Sequence, residues 1–353
     1  MFQQSPILSI RNLKTYFYTY AGVVRALEGI DLDIYPGETV GLVGETGCGK
    51  SVTALSVMQL VPNPPGKIVD GEILFHGEDL LKKSEQEMRE IRGKKITMVF
   101  QDPMTYMNPV MTVGDQVAEV IMLHQDLSSD GDKMGARHAG RLGLSRRSAK
   151  KVAMERAVET LKLVRMPYPE KISKQYPHEL SGGMRQRAMI AMALSCGPDL
   201  LIADEPTTAL DVTIQAQILT LLNELKKEVG TSVLLITHDL GIVAEVCDRV
   251  GVMYAGKIVE LAQTRVLFRN PSHPYTQGLL RAIPKLYREM EQLDIIPGSV
   301  PNLIYPPSGC RFHPRCQFAM KACSAESPRL TEVEPNHLVS CYLFSQATER
   351  ERD

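Results

Sequence analysis

The chain has 353 residues, of which 40 are basic and 41 are acidic. This length predicts two domains, and the balanced charge gives no electrostatic reason to expect nucleic acid as a partner. The first residues lack a basic segment followed by an apolar core, so we predict no signal peptide. No apolar run approaches the about 20 residues needed to span a bilayer. We therefore expect a soluble, cytoplasmic chain that would serve a membrane only through other subunits.

The first half of the chain predicts a β lobe followed by a helical region. Residues 7–42 alternate apolar and polar side chains between turn signals, which indicates antiparallel strands. The elements predicted next are a helix over 51–61, strands at 72–75 and 96–100, and largely helical structure over 112–170. The basic stretch at 131–151 predicts a solvated helical face or loop.

The second half predicts a buried parallel sheet. Residues 199–204 and 232–237 are short, nearly continuous apolar runs, as in strands covered on both faces. They alternate with helices predicted around 184–196, 211–229 and 239–247. The predicted fold is therefore an α/β core with a small antiparallel β lobe and an inserted helical lobe over about 104–185.

The character of the chain changes after Gly256. Residues 262–282 have a helical pattern, 284–310 are Pro-rich, and the tail has little periodicity. We predict one domain over 1–256 and a C-terminal extension over 257–353. Because the tail is poor in apolar periodicity, we expect something other than a large core to hold it.

A phosphate-binding loop is predicted between the strand at 39–43 and the following helix. Gly44-Glu45-Thr46-Gly47-Cys48-Gly49-Lys50-Ser51 matches the P-loop pattern in the required context. The backbone N–H groups of 47–51 would surround the β-phosphate, Lys50 would bridge the β- and γ-phosphates, and the Ser51 hydroxyl would bind Mg²⁺. The predicted nucleotide-binding residues here are Gly44, Gly47, Cys48, Gly49, Lys50, Ser51 and Val52. Cys48 has no evident chemical task.

Two further patterns complete the prediction of a nucleotide site. The strand at 199–204 ends in Asp204 and Glu205, where Asp204 would reach Mg²⁺ through water and Glu205 would be the general base for the attacking water. Ser181, Gly182 and Gly183 would open a helix and leave unpaired N–H groups for an anion, and the glycines would allow its close approach.

This combination of a P-loop, a Ser-Gly-Gly-x-x-Gln run and a strand ending in Asp-Glu resembles the ATP-binding-cassette (ABC) ATPases. The resemblance covers roughly residues 7–260. It implies a dimer in which each ATP lies between one P-loop and the partner's signature, and it assigns Ser181, Gly182, Gly183, Gln186 and the D-loop Asp211 to that interface.

The resemblance also assigns roles to residues that would be unremarkable alone. Gln101 resembles the Q-loop glutamine, which touches Mg²⁺ and the attacking water, and His238 resembles the switch histidine, which hydrogen-bonds the γ-phosphate. The family stacks an aromatic ring of the first hairpin on adenine. Counting from Asn12, as in the family pattern, identifies Phe17 as the ring that would stack on adenine. Because the hairpin of this chain is lengthened, Tyr20 remains an alternative.

The extension carries four of the seven cysteines, Cys310, Cys316, Cys323 and Cys341, separated by 5, 6 and 17 residues. In a reducing compartment, such a group suggests a metal site more than disulfides, and four thiolates suit a [4Fe–4S] cluster or zinc. Residues 270–280 and Gly309-Cys310-Arg311-Phe312-His313-Pro314-Arg315-Cys316 resemble the tail of dipeptide and oligopeptide importer ATPases. That resemblance implies [4Fe–4S]; zinc and four unligated cysteines remain alternatives.

The resemblance thus implies an ATPase subunit, peripheral on the cytoplasmic face of the inner membrane, that drives peptide uptake. The expected cofactors are ATP and Mg²⁺ besides the cluster. The expected partners are a second, homologous but non-identical ATPase, two membrane permeases and, indirectly, an extracytoplasmic peptide-binding protein, with no nucleic acid. The alternatives are an importer for nickel or another small solute, a soluble ABC ATPase without a transport role, and a redox-responsive regulator.

Overall fold

The computed structural model describes residues 5–125, 127, 146–208, 210–282 and 296–345. Its strands are β1 (Leu8–Thr19), β2 (Gly22–Ile34), β3 (Thr39–Val43), β4 (Gly66–Phe75), β5 (Glu78–Asp79), β6 (Ile96–Val99), β7 (Leu200–Asp204), β8 (Ser232–Ile236), β9 (Arg249–Tyr254), β10 (Lys257–Gln263), β11 (Thr331–Glu334) and β12 (His337–Val339).

All but the last of the helices fall between these strands in the chain. They are α1 (Lys50–Val57), α2 (Glu85–Ile91), α3 (Pro103–Tyr106), α4 (Val113–His124), α5 (Arg146–Leu163), α6 (Pro169–Ile172), α7 (Gly182–Leu194), α8 (Val212–Val229), α9 (Leu240–Val246), α10 (Thr264–Arg269), α11 (Pro274–Arg281), α12 (Lys321–Ala325) and α13 (Tyr342–Ser345). Among these helices, none combines the length and apolar character needed to cross a membrane.

The contacts divide the chain into two compact units. The first unit comprises 1–82 and 234–353, and the second comprises 83–233. β8 contains the division between them.

The first unit contains an antiparallel sheet in the order β2-β1-β4-β5. It also contains strands in the order β11-β12-β10-β9-β3, in which β3 runs parallel to β9 and the other pairs are antiparallel. All five residues of β3 are buried, as its continuous apolar sequence predicts. Of the antiparallel strands predicted over 7–42, β1 and β2 are present and pair along nearly their whole length, whereas residues 39–42 belong to β3, which runs parallel to β9.

The second unit is mostly helical around the parallel pair β6 and β7. Side chains set where its helices begin: Ser181 caps α7 and Asp211 caps α8 by accepting hydrogen bonds from the backbone. The left-handed Gly230 ends α8. Of the predicted basic stretch, Arg137 and Arg141 lie outside the described residues, while Lys150 on α5 pairs with Asp115 at 2.9 Å.

The extension differs from its sequence-based description in two places. The single helical pattern over 262–282 is divided into the end of β10, α10 and α11, because Pro271 and Pro274 each lack an amide donor and restrict the backbone. The tail, in which no strand was predicted, contributes β12 as a neighbour of β10, with Glu260 opposite Val339.

Candidate functional site

The predicted phosphate loop joins β3 to α1. Gly44 has φ of 151° and a Cβ there would collide with the carbonyl oxygen of Met253, so only glycine fits. Lys50 is the first residue of α1, and its Nζ donates to the carbonyl oxygens of Gly44 (2.8 Å) and Glu45 (3.2 Å). The ammonium therefore lies over its own loop, at the helix N-terminus where an anion is stabilised.

The neighbouring residues of the loop differ in exposure. Ser51 is exposed and Val52 is half-buried. The Cys48 side chain is buried, and burial raises the pKa of its thiol. Its carbonyl oxygen accepts a hydrogen bond from the Gly256 amide at 2.8 Å. Cys48 is thus part of the support of the loop rather than a reactive thiol.

His238 lies beside the start of this loop. The Thr237 amide donates to the Leu42 carbonyl at 3.3 Å, so the residue that follows β8 lies next to the end of β3. His238 is exposed, and the Asp239 carboxylate caps α9 immediately after it. In the first unit, the structure therefore brings His238 to the strand end from which the P-loop begins.

Gln101 and Glu205 are in direct contact in the second unit. The Gln101 Nε2 donates to Glu205 Oε2 at 2.9 Å, and the Thr208 hydroxyl donates to the same oxygen at 3.0 Å. Asp204, at the end of β7, is only 7% exposed. Glu205 follows with φ of 46°, a left-handed backbone that ordinary residues rarely adopt. Two residues separated by 104 positions in the sequence are thus in direct contact.

The signature run opens α7. Ser181 Oγ accepts from the Met184 amide at 3.4 Å. A Cβ on Gly183 would lie 2.7 Å from Ile214 Cγ2, so α8 restricts that position to glycine. Gln186 is 2% exposed, and its Nε2 has no hydrogen-bond partner among the described residues. Asp211 is exposed and caps α8 through the Ile214 amide at 3.0 Å.

The two aromatic candidates for adenine stacking lie in different surroundings. Phe17 is half-buried on β1, opposite Val24 on one side and Gly66 on the other. Tyr20 is at the hairpin turn and is fully exposed. Both remain predictions.

The four cysteines of the extension do not form the predicted metal centre. Among the described residues, which include all four, no group of three or more His, Cys, Asp or Glu side chains could hold a metal ion. All four cysteines are free. Burial raises the pKa of the Cys310 and Cys316 thiols, and that of Cys341 to about 11. The predictions of [4Fe–4S] and of metal binding at Cys310, Cys316, Cys323 and Cys341 are wrong, and zinc fails on the same geometry.

Two arginines of the motif that contains Cys310 and Cys316 connect the extension to the rest of the first unit. Arg311 donates from Nη1 to the Ala255 carbonyl and pairs from Nη2 with Glu28 at 3.2 Å. Arg315 forms a forked pair with Glu45 of the P-loop, with Nη1 and Nη2 at 2.7 and 3.1 Å from the two carboxylate oxygens. The Tyr275 hydroxyl accepts from the Glu45 amide at 2.9 Å. The sequence gives no prediction of these contacts of Glu45, Tyr275 and Arg315, although Arg315 belongs to the motif that contains Cys310 and Cys316.

A buried carboxylate joins two other parts of the extension. Glu260 on β10 is fully buried. It accepts hydrogen bonds from the amides of Ser272 (2.8 Å) and His273 (2.9 Å) and lies 2.7 Å from His337 Nε2 on β12. Its hydrogen bonds keep its pKa below the ordinary value in spite of burial, which alone would raise it.

A P-loop between a buried parallel strand and a helix, with a carboxylate pair at the end of another such strand, defines a P-loop ATPase. Comparison with known proteins gives the family. The ABC transporter family matches residues 27–208, and the family described as "Oligopeptide/dipeptide transporter, C-terminal region" matches residues 259–323. The chain belongs to the ABC transporter family and is one of its ATP-binding, ATP-hydrolysing subunits.

Its relatives match along nearly the whole chain. The probable peptide ABC transporter ATP-binding protein y4tR of Sinorhizobium fredii is 51% identical, with 96% of each chain covered. The dipeptide transport ATP-binding protein DppD of Bacillus subtilis is 49% identical, covering 97% of this chain and 96% of its own.

The solved structures show the same fold. The dimeric ATP-binding cassette MJ0796, bound to ADP and Pi in a post-hydrolysis state, aligns with a TM-score of 0.61 at 26% identity, covering 73% of this chain and 99% of that one. The cbiO1 protein of Clostridium perfringens, part of the ABC transporter complex cbiONQ, aligns with a TM-score of 0.57 at 27% identity, covering 76% and 97%.

Proposed function

We propose that this chain is the ATP-hydrolysing subunit of a membrane importer for dipeptides or oligopeptides. The observation that carries the substrate class is the match of residues 259–323 to the C-terminal region of oligopeptide and dipeptide transporters. Relatives named for peptide, dipeptide or oligopeptide transport at about half identity support it. In this proposal, residues 1–256 form the cassette and 257–353 the importer-specific extension.

The proposed roles follow the chemistry of each side chain. Lys50 neutralises the β- and γ-phosphates, while Ser51, Asp204 and Gln101 supply the oxygen ligands that Mg²⁺ prefers. Glu205 accepts a proton from the attacking water. The bond from Gln101 Nε2 supports this role, because it fixes the position of the Glu205 carboxylate.

The remaining proposals concern assembly. Ser181, Gly182, Gly183, Gln186 and Asp211 contribute to the site of a second, homologous cassette, and His238 holds the γ-phosphate. The buried amide of Gln186 reaches a partner only if α7 shifts or its side chain changes rotamer on dimer formation. Two membrane permeases bind the pair at the cytoplasmic face of the membrane, and an extracytoplasmic binding protein delivers the peptide.

Reconstitution tests this proposal. The chain is co-expressed with its neighbouring permease and cassette subunits, and uptake of labelled dipeptides and longer peptides into vesicles is measured beside ATP hydrolysis. Lys50→Ala should abolish ATP binding and uptake, because the ammonium that neutralises the phosphates is lost, whereas Lys94→Ala at an exposed position should change neither. Uptake of nickel but not of peptides, or co-purification with ribosomes or DNA instead of permeases, would overturn the proposal.

A further inference from the structure

The extension reaches the phosphate loop through Arg315. This residue lies in a short 3₁₀ turn over His313–Arg315, and its side chain is 6% exposed while that of its partner Glu45 is 27% exposed. Arg315 also donates to the Pro297 carbonyl at 2.9 Å and to the Tyr254 hydroxyl at 3.3 Å. These two contacts fix the guanidinium independently of its ion pair with Glu45. A forked pair of this kind is both strong and geometrically specific.

Tyr275 holds the same loop residue from a second side. Its hydroxyl accepts from the Glu45 amide, and its ring is fully buried against Tyr254 and Phe312, with centroid separations of 4.6 and 5.4 Å. The extension thus fixes Glu45 by its carboxylate and by its backbone. The ring cluster also receives the Arg315 guanidinium, which lies 5.7 Å from the Tyr254 ring centre.

A second connection supports the other end of the loop. Arg311 donates to the Ala255 carbonyl in the turn between β9 and β10. The next residue, Gly256, donates its amide to the Cys48 carbonyl at 2.8 Å. The two arginines of the motif therefore support the loop at two points, Glu45 directly and Cys48 through the turn.

These contacts matter most when Lys50 engages a phosphate. Its ammonium must then leave the carbonyls of Gly44 and Glu45, to which it donates in this structure. Glu45 retains the Cys48 amide on its carbonyl, and the extension on its amide and carboxylate. Binding groups that are already ordered lose less entropy when the ligand arrives.

We propose that Arg315 is a positioning residue for nucleotide binding, which, with Tyr275, holds Glu45 and keeps residues 44–51 in the conformation that receives the phosphates. The inference rests on the proposed function in one respect, since it takes residues 44–51 as the phosphate-binding loop. In this inference, the extension stabilises the phosphate-binding loop of the ATPase and does not bind a metal cluster.

The affinity of the full-length chain for ATP tests this inference. Arg315→Met should raise the Kd for ATP, measured by fluorescence titration, by about 3- to 10-fold, because a loop that populates its binding conformation only part of the time weakens apparent affinity by that fraction. Arg315→Lys should fall between Met and the native residue, since an ammonium cannot form the fork. Hydrogen exchange of the amides of 45–50 should accelerate in the same order.

A double-mutant cycle isolates the pair from general destabilisation. Glu45→Gln removes the charge on the loop side, and the combination with Arg315→Met should raise the Kd no further than Arg315→Met alone, because both changes break one interaction. The matched control is Arg249→Met, which breaks another buried pair, with Glu38 at 3.2 Å, that does not involve the loop. It should lower the melting temperature without changing the Kd.

The possible outcomes distinguish a failure of this inference from a failure of the proposed function. Unchanged Kd values for Arg315→Met and Glu45→Gln, with binding abolished by Lys50→Ala, would overturn the inference and leave the phosphate loop in place. Additive increases in Kd would also overturn it. Wild-type binding by Lys50→Ala would overturn the role of the loop itself. If Arg315→Met does not fold, Glu45→Gln decides alone, since it changes only a partly exposed loop side chain.

Discussion

Glu205 combines an unusual backbone with a fixed side chain. Its φ of 46° turns the chain immediately after β7, and Gln101 and Thr208 both donate to one carboxylate oxygen. Strained residues of this kind persist where surrounding contacts fix them, and they concentrate at functional sites. The arrangement presents the carboxylate at a defined place, as a general base requires.

The first prediction at this scale concerns hydrolysis. Glu205→Gln should preserve ATP binding and reduce turnover by about 10²- to 10⁴-fold, because an amide cannot accept the proton of the attacking water. Phosphate release measures the turnover, and nucleotide titration measures the binding. Glu159→Gln, an exposed change on α5, should leave both unchanged. Near wild-type turnover by the Glu205 variant would contradict the role proposed for it as a base.

Some site residues follow from the sequence and others do not. The P-loop is a contiguous pattern whose geometry is local, so Gly44 to Ser51 could be predicted from spacing alone. The pair of Glu45 and Arg315 joins positions 270 residues apart, and Glu45 occupies a loop position where the motif accepts any residue. The cysteines of the last motif suggested a metal, whereas the described structure uses its arginines. Ligand count alone cannot reveal whether thiols take a geometry that holds a metal ion.

At the scale of elements, the buried strands were the easiest to predict. β3, β7 and β8 are continuous apolar runs, and each is buried along its whole length. The extension was harder, because the long-range partner of β10 determines that His337–Val339 forms a strand. Its sequence has little periodicity of its own, so tertiary pairing decides its structure.

The buried His273 at the start of α11 leads us to expect that the stability of the protein depends on pH. His273 is 1% exposed, and its Nδ1 accepts from the Tyr275 amide at 3.1 Å, which requires an unprotonated nitrogen. Burial lowers the pKa of His273 to about 4, although the nearby Glu260 carboxylate acts in the opposite direction. As pH falls below about 6.5, this histidine becomes protonated in the unfolded chain while it is still neutral in the folded protein. The free energy of unfolding should therefore decrease from about pH 6.5 to about pH 4, by up to about 1.4 kcal/mol per pH unit.

Urea denaturation at a series of pH values checks this expectation. His273→Asn, which can cap the helix without titrating, should flatten the dependence between pH 6.5 and 5. His178→Asn, at an exposed position, should retain the native slope. Equal slopes for the native chain and His273→Asn would show that this residue does not control acid stability.

At the scale of the whole molecule, the extension completes the cassette. β12 pairs with β10, and the short β11, with exposed Glu332 and Glu334, becomes the outer strand. A short, charged outer strand resists pairing with other molecules. Without β12, the amides and carbonyls of β10 would face solvent on a strand that is largely buried.

Truncation tests this dependence. A chain ending at Gln263 should aggregate, because it exposes β10, and should bind ATP more weakly, because it lacks Arg315 and Tyr275. Size-exclusion chromatography with light scattering measures the first effect and nucleotide titration the second. A chain ending at Ser345, which retains all of these contacts, is the control. A monodisperse fragment ending at Gln263 with native affinity would show that the cassette is self-sufficient.

The pair of Glu45 and Arg315 also limits how such chains can be recombined. Each side chain supplies the countercharge of the other at a site where Arg315 is 6% exposed, and a buried charge left alone is costly. A hybrid that joins this extension to a cassette with a neutral or basic residue at position 45 would isolate the guanidinium. An extension can therefore be joined to another cassette only when residue 45 of that cassette can pair with residue 315 of the extension. The two positions are expected to change together as these chains diverge.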